Sequence, residues 1–168
     1  MLGRTRNIRR IKTHLILGHF FTLLLGGGGI YLSFRQETLK MFNWFEMIGL
    51  KEAISYLRLF TLPFYDNLPD WFLYSLPDGI WLFSYLSVLL LIWDNKISKH
   101  NIHWVLLIPS IAIFSEIGQL FEIVSGTFDI TDLVFYLAGT ILPILIFTTT
   151  YTKILITKFS SFYFIKLS

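Results

Sequence analysis

The sequence predicts an all-α fold: an integral membrane bundle of four transmembrane helices, with an amphipathic helix lying at the interface in the first outer loop. Three observations carry this. The 168 residues are 54% hydrophobic and 15% charged, with mean hydropathy +0.62, which is more apolar surface than one soluble core of this size would bury. Four apolar runs, at 14–34, 71–93, 103–124 and 130–151, reach the length of roughly 20 residues that a helix needs to cross hydrocarbon. The runs are continuous and lack the period of two that a membrane barrel requires. The polar stretch 35–70 is short and aromatic, so the whole chain 1–168 reads as a single transmembrane domain.

The first span follows a basic tail with Arg4, Arg6, Arg9, Arg10 and Lys12. A cleavable signal peptide is the rival reading of this start. No A-x-A site follows, however, and apolar character resumes at Ile30, Tyr31 and Leu32. Four glycines at 26–29 each cost a helix roughly 1 kcal/mol relative to alanine. Close approach of a neighbouring helix is the usual compensation in a membrane. In the loop that follows, Glu37, Lys40, Lys51, Ser55 and Arg58 share one face of a helix over 37–60, and Phe42, Phe45, Ile48 and Leu59 populate the rest. Three Leu-Pro pairs among aromatic residues then suit the headgroup layer.

The second span opens with Ser75-Leu76-Pro77-Asp78, which has the form of a capping box. Lys96 and Lys99 follow it, and Lys153, Lys158 and Lys166 follow the fourth span; with the first tail these mark the cytoplasmic side. The opposite side receives 125–129, without a basic residue, and 35–70, where four basic residues face five acids. Both termini are therefore predicted cytoplasmic, in a multi-pass protein of the cell's inner, cytoplasmic membrane. The pI of about 9.2 follows from this asymmetry and does not indicate nucleic acid. With no cysteine, disulfides and thiolate metal sites are excluded.

The third and fourth spans hold the polar residues that hydropathy does not explain. Glu116, Gln119 and Glu122 follow one another at steps of three, on one side of a helix, and Asp129, Asp132 and Tyr136 begin the next span. No Lys or Arg lies between Lys99 and Lys153 to pair with these acids. Asp129 and Asp132 have a local explanation as a cap and a first-turn acid. Capping does not reach Glu116 and Gln119. A carboxylate at the bilayer centre costs roughly 2.5 to 3.5 kcal/mol, so an outward-facing acidic pocket is expected, with Glu116, Gln119, Asp132, Asp78, Asp129, Glu122 and Tyr136 as its candidate residues.

The pattern Glu116-x-x-Gln119, a short turn, Asp129-x-x-Asp132 and then Gly139 resembles the VanZ-like family of small bacterial membrane proteins, as does Asp78 in LPDGIW. The resemblance covers roughly 76–143. The chain departs from it at Thr127, where the family has arginine, at Tyr136, where it has asparagine, and near Gly79 and Leu82, where a basic residue and a histidine are usual. The resemblance implies a cell-envelope protein, of a kind whose founding members are linked to teicoplanin resistance. Three readings stay open: a binder of a membrane lipid, a lipid-linked envelope component or a drug; an intramembrane acid/base enzyme using Glu116 with Asp132 or Asp78; and a scaffold that joins a membrane-protein partner or forms a homo-oligomer. No serine has an adjacent histidine, which argues against Ser-His hydrolysis. The carboxylates are hard oxygen donors, but their spacing names no metal site and no cofactor.

Overall fold

The computed structural model describes residues 13–148, and all regular structure among them is helical. The basic residues of both tails and the last residues of the expected fourth span, 149–151, lie outside the described residues. Four helical stretches are long and apolar enough to cross a membrane: Leu15–Phe34, Asp70–Ile92, Ile102–Leu120 and Ile130–Phe147. The first comprises α1, Leu15–Leu25, and α2, Gly27–Phe34. Lys40–Met47 (α3) and Lys51–Thr61 (α4) form a hairpin, a 3₁₀ segment spans Leu62–Asn67, and Asp70–Leu73 is α5. Then come α6, Ser75–Ile92, α7, Ile102–Leu120, and α8, Ile130–Phe147.

Helices α6 and α8 form the centre of the bundle and run parallel. Ser75 meets Thr131, Gly79 meets Phe135 and Gly139, and Phe83 meets Phe147, in register from one end to the other. The two glycines allow the approach: a Cβ on Gly139 would overlap the Gly79 carbonyl oxygen, and one on Gly79 would lie 2.9 Å from the Phe135 oxygen. The first span runs antiparallel to α6, pairing His14 with the Ser87 carbonyl and Tyr31 with Asp78. Helix α7 also runs antiparallel, with the Tyr85 hydroxyl donating to the Trp104 carbonyl. Asp78, Glu116, Asp129 and Asp132 thus share one end of the bundle. Residues 13 and 148 share the other with Lys96 and Lys99.

The first span is not one regular helix. Leu15–Leu25 is wound as a π-helix, and Gly26 joins it to α2 with φ −99° and ψ −136°. The Gly18 carbonyl accepts the hydroxyls of Thr22 and Ser84. Gly26 and Gly27 face α6, where a Cβ on either would collide with Ile80 or Trp81. For these two glycines the close approach expected of the run is present.

Two helix ends differ from expectation for one physical reason. The expected helix over 37–60 is two helices, because Gly49 at φ +78° closes α3 with paired bonds, Gly49 N–H to the Glu46 carbonyl and Leu50 N–H to the Phe45 carbonyl. The same bonding ends α7 at Leu120, four residues before the expected limit: Glu122 takes φ +57°, and the Ile123 N–H reaches the Gly118 carbonyl at 2.8 Å. Asp94 and Asn95 close α6 in this way, both at positive φ. The expected capping box at Ser75 is absent. Ser75 is the first residue of α6 and fully buried, and its hydroxyl pairs with that of Thr131 at 2.9 Å.

Candidate functional site

Asp78 lies in the first turn of α6, between two tyrosine hydroxyls. Tyr31 donates to its Oδ1 at 3.4 Å and Tyr136 to its Oδ2 at 3.5 Å. Tyr31 comes from α2 and Tyr136 from α8, so the carboxylate ties three elements together. Asp132, one turn before Tyr136, is within electrostatic range of Asp78 and of the Tyr136 hydroxyl, as Glu116 is of Tyr136. The Asp132 Oδ1 atom is buried and has no hydrogen-bond partner. A buried acceptor left unpaired costs about 1–3 kcal/mol, so a donor arriving there would be bound favourably.

A positive charge enters this cluster from a place the sequence reading did not consider. Arg35, the residue that ends α2, donates through Nη2 to the Tyr31 hydroxyl at 3.3 Å. Its guanidinium carbon lies 4.6 Å from the ring centroids of both Tyr31 and Tyr74. The charge acts on Asp78 through space without forming an ion pair with it. The signal was present in the sequence as a Tyr-x-x-x-Arg step at the end of the first span, because residues four apart share a helix face.

The remaining candidates make other contacts. Glu116 is 2% exposed, and its Oε1 accepts the Asp129 backbone N–H at 2.6 Å, which ties α7 to the residue that starts α8. Gln119 packs over the turn at Gly126, where a Cβ would fall 2.7 Å from its side-chain carbon. Glu122 is exposed in that turn, outside the helix. Asp129 caps α8 as expected, accepting the Thr131 amide at 2.8 Å and its hydroxyl at 2.7 Å.

These bonds from the Thr131 hydroxyl, and then from its amide, hold the Asp129 carboxyl below the usual aspartate range. A carboxyl depressed in the folded state stabilises above its unfolded pKa of about 3.9 and loses that contribution as pH falls through the folded value. Melting in detergent should therefore drop on acidification below about pH 4. Asp129→Asn should retain the cap and show a smaller drop, whereas Asp129→Ala should melt lower even at neutral pH. An acid limb equally steep in Asp129→Asn would show that the cap does not contribute it.

Among the described residues no three His, Cys, Asp or Glu side chains converge as a metal ion would require. A cleft of about 310 Å³ opens beside α1, α6 and α8, lined by Phe21, Gly79, Phe83, Phe135, Ala138 and Leu142 among others. None of the clustered acids lines it, because consecutive residues such as Asp78 and Gly79 point about 100° apart on a helix. The chain matches no family model, no curated protein and no solved structure.

Proposed function

We propose that this is a VanZ-like protein of the bacterial cytoplasmic membrane, whose outward cluster of Asp78, Asp132, Tyr31, Tyr136 and Arg35 binds the polar part of a lipid-linked envelope component. The carrying observation is the Asp132 Oδ1, buried and unpaired beside an Asp78 already held by two hydroxyls. It leaves one acceptor for a ligand's N–H or O–H group. The spans would bring such a ligand to the cluster by its lipid tail, and the bound component would be withheld from, or delivered to, the machinery that glycopeptides inhibit. In Asp132→Asn and Asp78→Leu, binding of polyprenol-linked glycan precursors by the protein in lipid nanodiscs should weaken, with helicity unchanged by circular dichroism. Teicoplanin susceptibility of expressing cells should shift with it. Undiminished binding in both variants would sink the reading.

This reading places both termini and Lys99 in the cytoplasm, and Asn67 and Thr127 outside. Supporting it, four helices of membrane-spanning length put the clustered acids at the end of the bundle away from Lys96 and Lys99. The α3–α4 hairpin would then rest in the outer interface, its exposed Trp44, Met47, Ile48, Leu59 and Phe60 in the headgroup layer. Cysteines introduced at Asn67 and Thr127 should react with a membrane-impermeant maleimide from outside and one at Lys99 should not. The reverse pattern would invert the protein and put the cluster in the cytoplasm. Helix α7 exposes Trp104, Leu107, Ile111 and Phe114 along one stripe, which suits a membrane-protein partner or a second copy as well as lipid.

A further inference from the structure

Arg58 is 8% exposed although it belongs to the outer hairpin, which otherwise has little buried surface. A cation withdrawn from solvent this far needs partners. Arg58 has them in a particular place: its Nη1 donates to the Leu32 carbonyl at 3.0 Å and to the Arg35 carbonyl at 2.8 Å. These carbonyls close the C-terminal end of α2, which lacks further helix to accept from them, and a cation there also opposes the negative end of the helix dipole. The Arg58 Nε faces Glu37 Oε1 at 3.0 Å, and its guanidinium lies 5.4 Å from the centre of the Phe42 ring on α3. Arg58 therefore gathers α4, α3, Glu37 and the end of α2 at one point.

The Arg35 carbonyl that Arg58 grips belongs to the residue whose side chain stacks between Tyr31 and Tyr74 and supplies the positive charge beside Asp78. Apart from Arg58, Ile54 is the only other buried residue of the two hairpin helices. Helix α4 docks on α2 and on the 3₁₀ segment, and α3 packs against α4. Its exposed Lys51–Glu46 pair stays within the hairpin. A small, largely exposed element thus reaches, through Arg58, the backbone of the site's cation.

We propose that the α3–α4 hairpin is a strap that controls the acidic cluster, with Arg58 as the positioning residue. When the hairpin is docked, Arg58 fixes the end of α2 and holds Arg35 against Tyr31 and near Asp78. When a ligand, lipid or partner lifts the hairpin, the end of α2 is released, Arg35 leaves, and Asp78 faces the outside without its nearby positive charge. This inference rests on the reading of the cluster as the functional site. Its mechanics concern only the coupling between hairpin and cluster.

The test uses the full chain in lipid nanodiscs, with tyrosine nitration by tetranitromethane read peptide by peptide, and amide hydrogen exchange over the end of α2. In Arg58→Gln, nitration of Tyr31 and Tyr74 should rise several-fold and the Arg35 amide, bonded to the Tyr31 carbonyl at 3.0 Å, should lose protection. Arg35→Gln should give the same rise in nitration with α4 still protected. Arg58→Lys, which keeps the charge and reaches one carbonyl, should fall between wild type and Arg58→Gln. Tyr85, at the far end of the bundle, is the internal reference and should be unchanged. Unaltered Tyr31 nitration in Arg58→Gln would overturn the proposal. A parallel rise at Tyr85 would also overturn it, since the variant would then loosen the whole bundle. Undiminished ligand binding in both Asp132→Asn and Asp78→Leu would instead defeat the functional reading and leave these results standing.

Discussion

Gly139→Leu should prevent the bundle from reaching its native packing, with a loss of about 3 kcal/mol or more, the upper end for overpacked sites. Most overpacking is relieved by a neighbouring side chain changing rotamer. Here the first atom met by a Cβ is the Gly79 carbonyl oxygen, followed by the Gly79 carbonyl carbon and the Cβ of Leu82. Backbone on a parallel helix cannot move without sliding α6 along α8. That shift would part Ser75 from Thr131 at one end and Phe83 from Phe147 at the other. Even Gly139→Ala should be harmful, because the clash begins at Cβ. The comparison is Gly49→Ala, where nothing lies within 4 Å and the only cost is the positive φ, about 1 kcal/mol. Melting of the four proteins in the same detergent should give the order wild type, Gly49→Ala, Gly139→Ala, Gly139→Leu. A Gly139→Leu protein as stable as the parent would mean that α6 and α8 do not approach in this way.

The four long helices were legible because hydrocarbon-length apolar runs depend on composition summed over many residues, which no single contact overrides. Their ends were less legible. Ile123 and Val124 are apolar and extend the hydropathy of the third span, yet the chain turns at Glu122, a residue type that gives little warning of a left-handed backbone. Gly49 did give a warning, but the face shared by Glu37, Lys51 and Arg58 runs on across it and made two helices read as one. Ser75 shows tertiary structure overriding a local motif: the hydroxyl that a capping box would use is taken by Thr131, 56 residues away.

The candidate site divides in the same way. Asp78, Asp132 and Tyr136 could be placed together because each lies near the same end of its span, and depth is written in the sequence. Arg35 could not, since opposite charge was sought between Lys99 and Lys153 and the cation arrives from the end of the first span. Its effect on Asp78 depends on how the first span packs against α6, which hydropathy does not encode. The Arg58 grip on α2 is further removed still, for it joins side chain to backbone carbonyls across the fold.

Glu116 offers the sharpest separation between a pocket and a tether, and the largest expected effect after Gly139. The sequence places it among the pocket residues, and the structure occupies its Oε1 with the Asp129 N–H at 2.6 Å. Glu116→Leu would remove the charged acceptor of that amide, and a hydrogen bond to a charged group contributes about 1.5–3 kcal/mol. The turn over 121–129 should open, and protection of the Asp129 amide against exchange should collapse. Glu116→Gln keeps an oxygen at the same reach. Its bond is weaker than one to a charged acceptor, by about half, so the turn should hold and melting should stay close to wild type. Binding should also survive in Glu116→Gln, because Asp78 and Asp132 retain their positions. Lost binding in a Glu116→Gln protein with an intact Asp129 amide would return Glu116 to the pocket as a charged group in contact with ligand. Equal loss of Asp129 protection in the two variants would instead show that charge, and not the hydrogen bond, holds α7 to the start of α8.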